Sequence, residues 1–471
     1  MTISDQNSAG DALSAAAVEA LTAEVTGVVL QPGQDGYAAE VATYNFAVPN
    51  APALVVGAAG PADVQAAVRF AAAHGRPVAV LSTGHTPVVP GEGTVMITTR
   101  RMDEVTIDPH QRRARVGAGV RWQQVVDAAT PHGLAPLNGS SPLVGVVGYT
   151  LGGGLSATMA RAFGWASDHV RGIDVVTADG ELHHADAESD ADLFWAVRGS
   201  KSNLGVVTAM EFDLFPVRTL FAGALIFTGE HAEAVLSAYA DLTANAPDEL
   251  TTSISFMRLP PLPVFPEPLR GTFTVHVRFS FIGDSADGEK LLAPLRAAAP
   301  AIVDTVADMP YENFAAIYND PVDPAPFAER TLALGPLQPE LVHKLIATAG
   351  PEADVPANFV ELRHVGGALA RTPSDAGAAG IRDAEFILWV VAIGDPVGTA
   401  PAMQWSETLF DDLAPWTRAG KYLNFMAGED LEPDAVRAAY SPDTYRRLQH
   451  TKKAYDPANL FRLNHNIAPL D

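Results

Sequence analysis

The chain has 471 residues, of which 48% are hydrophobic and 18% charged, with a formal net charge of −24 and no cysteine. That length and composition describe two or three folded domains with full cores. The acidic balance excludes nucleic-acid partners and disfavours anionic membranes, and the missing cysteine excludes disulfides, thiolate metal sites and Cys nucleophiles.

The N-terminus, Met1-Thr2-Ile3-Ser4-Asp5, lacks a basic region and a long apolar core, and no apolar run reaches membrane-spanning length, so the expected location is the cytoplasm. An Ala-rich helix is expected up to about residue 25, behind a polar leader. Ala53–Gly57 reads as a strand, and Pro61 opens a helix with apolar positions at Val64, Ala67, Val68 and Ala71 and a stop at Gly75. The apolar run 77–81 is a second, buried strand, and this strand–helix–strand unit indicates an α/β arrangement. It ends in Ser82-Thr83-Gly84-His85-Thr86, small residues whose backbone N–H groups can form an anion-binding concavity with a histidine at its lip. More strands are expected at Val95–Thr98, Val105–Ile107 and Ala114–Val116, then a helix from Trp122 to His132 closed by Gly133.

Six glycines fall between Gly139 and Gly154, around a short apolar run. Such a cluster needs positive φ or a closely approaching group. One reading is a packed turn between strand and helix. The other is a cradle of amides for a pyrophosphate, assisted by a helix start. A Rossmann fingerprint is excluded, because no acidic residue follows at the required distance. Downstream, 173–178 is a strand with a tight turn at Asp179-Gly180, 190–197 a capped helix, and 203–208 a strand start. Beyond 219, strands are expected at Thr272–Phe281, Asn358–Val365 and Phe386–Ile393. Helices are expected at Ala232–Ala244, Gly288–Ala298 and Ala402–Leu413, with a rigid Pro-rich loop at 260–268.

The ordered set Gly84-His85, the 139–154 segment, VVTADG at 175–180, DLFWAVRG at 192–199, NLGVVT at 203–208, and the C-terminal Tyr422-Leu423-Asn424-Phe425 with Tyr455-Asp456-Pro457-Ala458-Asn459-Leu460-Phe461 resembles the FAD-linked oxidases of the vanillyl-alcohol-oxidase type. Within these it is most similar to the berberine-bridge-enzyme-like group, over roughly residues 45–467. The resemblance implies an α+β protein with a split, PCMH-type FAD-binding domain and a substrate domain whose antiparallel sheet is covered by helices. The expected limits are a leader and helix at 1–44, the FAD domain at 45–218, the substrate domain at 219–420, and 421–471 completing the FAD domain.

Several residue roles follow from the same resemblance. FAD is the implied cofactor, linked through His85. The second tether of bicovalent relatives falls on Ser141, which cannot form it, so His85 is the sole expected link. Flavin contacts are expected from Ser82, Thr83, Gly84, Thr86, Gly139, Ser140, Ser141, Val144, Gly145, Gly148, Gly152, Gly153, Gly199, Asn203, Gly205, Val206 and Asn424. Val144 matches the position associated with oxygen access, favouring O2 as acceptor.

The two bases used by relatives fall on Phe425 and near Leu388, neither of which can accept a proton. Replacement candidates are Glu361, Arg363, His364 and Tyr149. Strand alternation puts Glu361 and Arg363 on one face and His364 on the other, with either face able to look toward the flavin. Trp389, Phe425, Tyr149 and Phe386 are candidate aromatic walls. The implied activity is oxidation of a small organic metabolite of secondary metabolism by a monomer or homodimer, with no metal, nucleic acid or membrane. The alternatives are a dehydrogenase using another acceptor, or a non-catalytic flavin- or ligand-binding relative.

Overall fold

A computed structural model describes residues 13–87, 89–261 and 267–470. The leader at 1–12 and most of the Pro-rich loop, including Leu262, Pro263 and Pro266, lie outside the described residues. The architecture is α+β, built on three sheets.

In the first sheet, strands Leu54–Gly57 and Val78–Leu81 both pair in parallel with Val95–Thr98. Helix Pro61–Ala73 crosses over between them and buries Val64, Ala67, Val68 and Ala71, the stripe that its spacing dictates. Val28–Leu30 adds an antiparallel edge to this sheet, so its chain begins well ahead of residue 45. The second sheet is antiparallel, ordered Val105–Asp108, Arg113–Gly117, Val206–Asp213, Val170–Val176, Leu182–Ala185.

The third sheet runs Val303–Asp304, Thr219–Thr228, Phe273–Phe281, Leu250–Arg258, Phe359–His364, Phe386–Ile393, Phe327–Leu334, with Ala307–Pro310 also on Thr219–Thr228. Alternation gives it two unlike faces. Val275, Val277, Phe279, Ile254, Val360, Leu362, Leu388 and Val390 form one core with helices Ala232–Ala244, Ser285–Ala298, Pro339–Ala349 and Pro396–Leu413. The opposite face carries Ser253, Ser255, Arg278, Glu361, Arg363, Trp389, Glu329 and Thr331, paired across strands by register.

That polar face packs on the glycine-rich half of the molecule. Ser280 Oγ donates to Thr158 O at 3.1 Å, and Tyr311 Oη donates to Asn138 Oδ1 at 2.6 Å. The C-terminal segment returns to the first half: Val78 N donates to Leu460 O at 3.1 Å, and Leu460, Phe461 and Ile467 join its core. Lys452, wholly buried, donates from Nζ to Asn203 O (2.6 Å), Asp456 Oδ2 (2.6 Å) and Phe461 O (3.2 Å).

Three local expectations need correction. Helix Ser285–Ala298 starts three residues before Gly288, because Asp284 caps it by accepting from Ala286 N. Helix Pro396–Leu413 likewise starts six residues before Ala402, capped by Asp395 and running through Pro401. Asp190, expected to cap Ala191–Val197, instead sits at φ 50 and makes no cap bond; its carboxylate pairs with His183 Nδ1 at 3.0 Å.

Candidate flavin and substrate site

Strand Val78–Leu81 delivers Ser82, Thr83, Gly84, His85 and Thr86 into a loop held at its back by the segment Thr43–Asn45. Tyr44 N donates to Thr83 O at 3.0 Å and Asn45 N to Gly84 O at 2.9 Å. Gly84 has φ +66, and a Cβ there would meet Thr43 Cβ at 2.5 Å, so only glycine lets the strap lie this close. The Tyr44 ring stacks on the imidazole, centroids 4.1 Å apart and planes 11° from parallel. His85 Nδ1 lies 2.9 Å from Thr83 Oγ1, while Nε2 is buried with no partner among the described residues. Burial, and after it the charge of Arg121, lower its pKa to about 4, so the ring is neutral at pH 7. With Nδ1–H donating to Thr83, Nε2 keeps its lone pair for an electrophile, which is the chemistry a flavin tether requires.

The glycine-rich segment runs from Gly139 through Ser140 and Ser141, turns at Pro142-Leu143 before Val144, and then forms a helix of only six residues, Val146–Leu151, inside the segment rather than after it. Gly145 lies beside Ser82, where a Cβ would meet its Oγ at 3.0 Å. Gly148 faces open space, leaving room for a group against its backbone. Gly152 is closed by Asn424, since a Cβ would fall 2.0 Å from Oδ1, and Gly153 beside it packs on Trp165. Asn424 Nδ2 donates to Tyr149 O at 2.8 Å, so Asn424 shapes the segment from behind.

Gly199 and Gly205 likewise abut backbone, of Ala379 and Val176. Val206 starts the following strand and is wholly buried in the core. The Asn203 side chain is committed to Ser200 O, His465 O and Ile467 N, so it pins the C-terminal segment rather than offering a ligand contact. The residues present fit FAD: among the described residues the neutral His85 imidazole has no partner at Nε2, and the backbone at Gly148 is open.

On the third sheet the polar face looks toward this segment. Leu155, Ser156 and Ala157, just past the glycines, line a cavity with Tyr318 and Arg363. Glu361 accepts from Ser253 Oγ at 2.8 Å on Oε1 and from Arg363 Nε at 3.0 Å on Oε2, with Arg278 Nη1 4.0 Å away. Because Ser253 donates to Glu361, it accepts from Tyr318 Oη at 3.1 Å, giving a line Tyr318–Ser253–Glu361. Burial pushes the Glu361 carboxyl up, but Arg363, Arg278 and the Ser253 bond outweigh it and hold it below the ordinary value.

Trp389 stacks on Phe425, centroids 4.4 Å apart, and donates from Nε1 to Glu329 Oε2 at 2.7 Å. Burial raises Glu329 to about 7, against the Trp389 bond and the charge of Lys201. Lys201, in the expected loop, is lowered to about 8 by burial, with Glu329 opposing.

Of the other catalytic candidates, His364 also lines the cavity with Arg363, whereas Tyr149 packs against the core of the first half. His364 lies on the helix-covered face, stacked on Phe386 at 5.0 Å, with Nε2 3.2 Å from Arg161 Nη1. Burial, and then Arg161, push its pKa well below the ordinary value, so the ring is neutral. Phe386, expected as a wall, is on that same face, as is Leu388. Tyr149 Oη donates to Leu137 O at 3.0 Å and its ring packs edge-on to Trp122, a packing role that leaves the hydroxyl committed.

Sequence reading missed Tyr44, Ser253, Arg278, Tyr318 and Glu329. The period-two polar residues Thr251, Ser253 and Ser255, with Thr274, His276, Arg278 and Ser280, were a legible signal for two of them.

Residues 52–186 match the family model described as an FAD binding domain, and 421–468 the one described as berberine and berberine like. The chain is 28% identical to (R)-6-hydroxynicotine oxidase of Paenarthrobacter nicotinovorans, over 94% of this chain and 97% of that protein. It is 26% identical to the FAD-linked oxidoreductase aurO of Gibberella zeae, over 90% and 82%. The crystal structure of 6-hydroxy-D-nicotine oxidase from Arthrobacter nicotinovorans superposes with a TM-score of 0.80, 26% identity and coverage of 95% and 98%.

Proposed function

We propose that this chain, an FAD-linked oxidoreductase of the berberine-bridge-like type, is an oxidase that carries its flavin on His85 alone and uses Glu361 as its proton acceptor. The observation that carries the reading is the neutral, buried Nε2 of His85, which has no partner among the described residues. FAD, when bound, supplies a hydride acceptor for the substrate and a route for its electrons to O2.

The protein's own contribution is positioning and proton handling. Glu361, ionised at neutral pH, takes the proton from a substrate O–H or N–H. Ser253 holds the carboxylate by donating to it and is itself held by Tyr318. Arg363 fixes the carboxylate by its bond to Oε2. Trp389 and Phe425 form a stacked wall that excludes water from one side, with Trp389 anchored by Glu329.

One relative is named for the oxidation of 6-hydroxynicotine, a small molecule, and this chain is proposed to oxidise a small molecule likewise, with O2 as acceptor. The direct experiment is acid precipitation of purified protein. Yellow colour should stay in the pellet for the wild type and move to the supernatant for His85→Ala. Colour released from the wild type overturns the tether, and reduced enzyme that stays reduced for minutes in air overturns the oxidase assignment.

A further inference from the structure

We propose that the substrate is a planar carboxylic acid, held through its carboxylate by the guanidinium of Arg363; this deepens, and rests on, the site assigned above. Among the described residues Arg363 uses only Nε, donating to Glu361 Oε2 at 3.0 Å. A guanidinium carries five N–H donors in a fixed fork. Its two terminal nitrogens make no hydrogen bond to any described residue, yet the side chain is only 10% exposed. An arginine present merely to neutralise Glu361 would pair side-on, with two parallel bonds. Here the pairing leaves the terminal face of the fork for something else.

That face has a place to be used. Arg363 lines a small cavity with Leu155, Ser156, Ala157, Tyr318 and His364, just past the glycine-rich segment. Its Cζ lies 5.1 Å from the Trp389 ring, 5.2 Å from Phe425 and 5.3 Å from Tyr318, so three aromatic faces fix the plane of the guanidinium. A carboxylate meeting a fixed, planar fork gains two charge-assisted bonds, and the adjoining rings favour a flat carbon skeleton.

Arg278 is the second guanidinium, committed to Ser255 Oγ and to Met257 Sδ at 3.6 Å, and it flanks the same Glu361. Asp320, Glu329 and Lys201 are the other ionisable groups in the field of this cluster, and none hydrogen-bonds Arg363. Asp320 brings a second carboxyl group into the field of the two guanidinia, so an anionic substrate is favoured by the unpaired terminal nitrogens of Arg363 rather than by the count of charges.

The test uses the purified holoprotein with benzoate, benzamide and benzylamine as probes, titrated by calorimetry and by perturbation of the visible flavin spectrum. Benzoate should bind at least about 10-fold more tightly than benzamide, the difference one charge-assisted hydrogen bond makes, and benzylamine more weakly than either. Arg363→Gln should abolish the benzoate preference, and Arg363→Lys should lose most of it, because an ammonium lacks the fork. Equal affinity for benzoate and benzamide, preference for benzylamine, no benzoate binding, or an unchanged ratio in Arg363→Gln overturns the proposal. The wild-type ratio stands even if a variant fails to fold. It is independent of how the flavin is attached and of reaction with O2, so failure of the oxidase assignment is read separately from failure of this one.

Discussion

Replacing Lys452 by methionine keeps an unbranched chain one atom shorter and removes the ammonium from a site that is wholly buried together with Asp456. Asp456 would then keep its bonds from Leu460 N (2.7 Å) and Phe461 N (2.9 Å) but lose its cation. Breaking one side of a buried ion pair costs about 3–5 kcal/mol. An unpaired buried aspartate can escape by binding a proton, at roughly 1.36 kcal/mol for each pH unit above about 3.9, or about 4 kcal/mol at pH 7. The two remaining N–H bonds soften the loss, so a destabilisation of about 2–4 kcal/mol is expected. It should show as earlier release of flavin fluorescence on heating, because Lys452 also ties the C-terminal segment to Asn203 O. The deficit should shrink from pH 8 toward pH 5, as protonation becomes cheaper. Lys452→Met with Asp456→Asn should be more stable than Lys452→Met alone. A single variant within about 0.5 kcal/mol of wild type, or a double variant no better than the single, refutes the reasoning.

Glu361→Gln should cut the rate of flavin reduction by about 10²–10⁴-fold, with Ser253→Ala costing less, measured in anaerobic stopped flow; a rate within threefold of wild type excludes Glu361 as the base. Since Glu361 is held below the ordinary carboxylate range, that rate should lie on a plateau through neutral pH and fall only on the acid side. Tyr44→Ala should lower the fraction of protein retaining colour after acid precipitation, whereas Tyr44→Phe, which keeps the ring stacked on His85, should retain it; equal retention in both contradicts a positioning role for the ring. Glu329, raised to about 7 in the fold, binds more protons folded than unfolded between about pH 4.5 and 7, so it removes stability as pH rises through that window. Glu329→Gln keeps an acceptor for Trp389 and should therefore be more stable than wild type at pH 8 by up to about 3 kcal/mol, with little difference at pH 4.5; thermal melts at the two pH values decide it.

Much of the secondary structure was legible because it is locally encoded. Helix Ala232–Ala244 and strand Phe386–Ile393 fall on their expected limits, and Pro61 and Gly75 bracket their helix as proline and glycine should. Where a limit slipped, as at Ser285 and Pro396, an aspartate cap one residue earlier set the start against a weak apolar signal. The Gly84-His85 loop was also visible, since a glycine and a lone histidine after a buried strand are a local pattern. Its packing was not visible, because the strap that covers it arrives from Thr43–Asn45 and is anchored beyond it, where Tyr44 Oη donates to Pro321 O at 2.6 Å.

That Glu361 and Arg363 share a face and His364 opposes them follows from residue order alone, through the two-residue period of any strand. Which face meets the glycine-rich segment does not. That choice belongs to the helices Ala232–Ala244, Ser285–Ala298, Pro339–Ala349 and Pro396–Leu413, which bury Val360, Leu362 and Leu388 and so turn the polar face inward. The partners of Glu361 were likewise set only by the assembled fold. Ser253 and Arg278 reach it by cross-strand register and Tyr318 by a chain excursion of 43 residues from it, distances in sequence at which no local pattern survives.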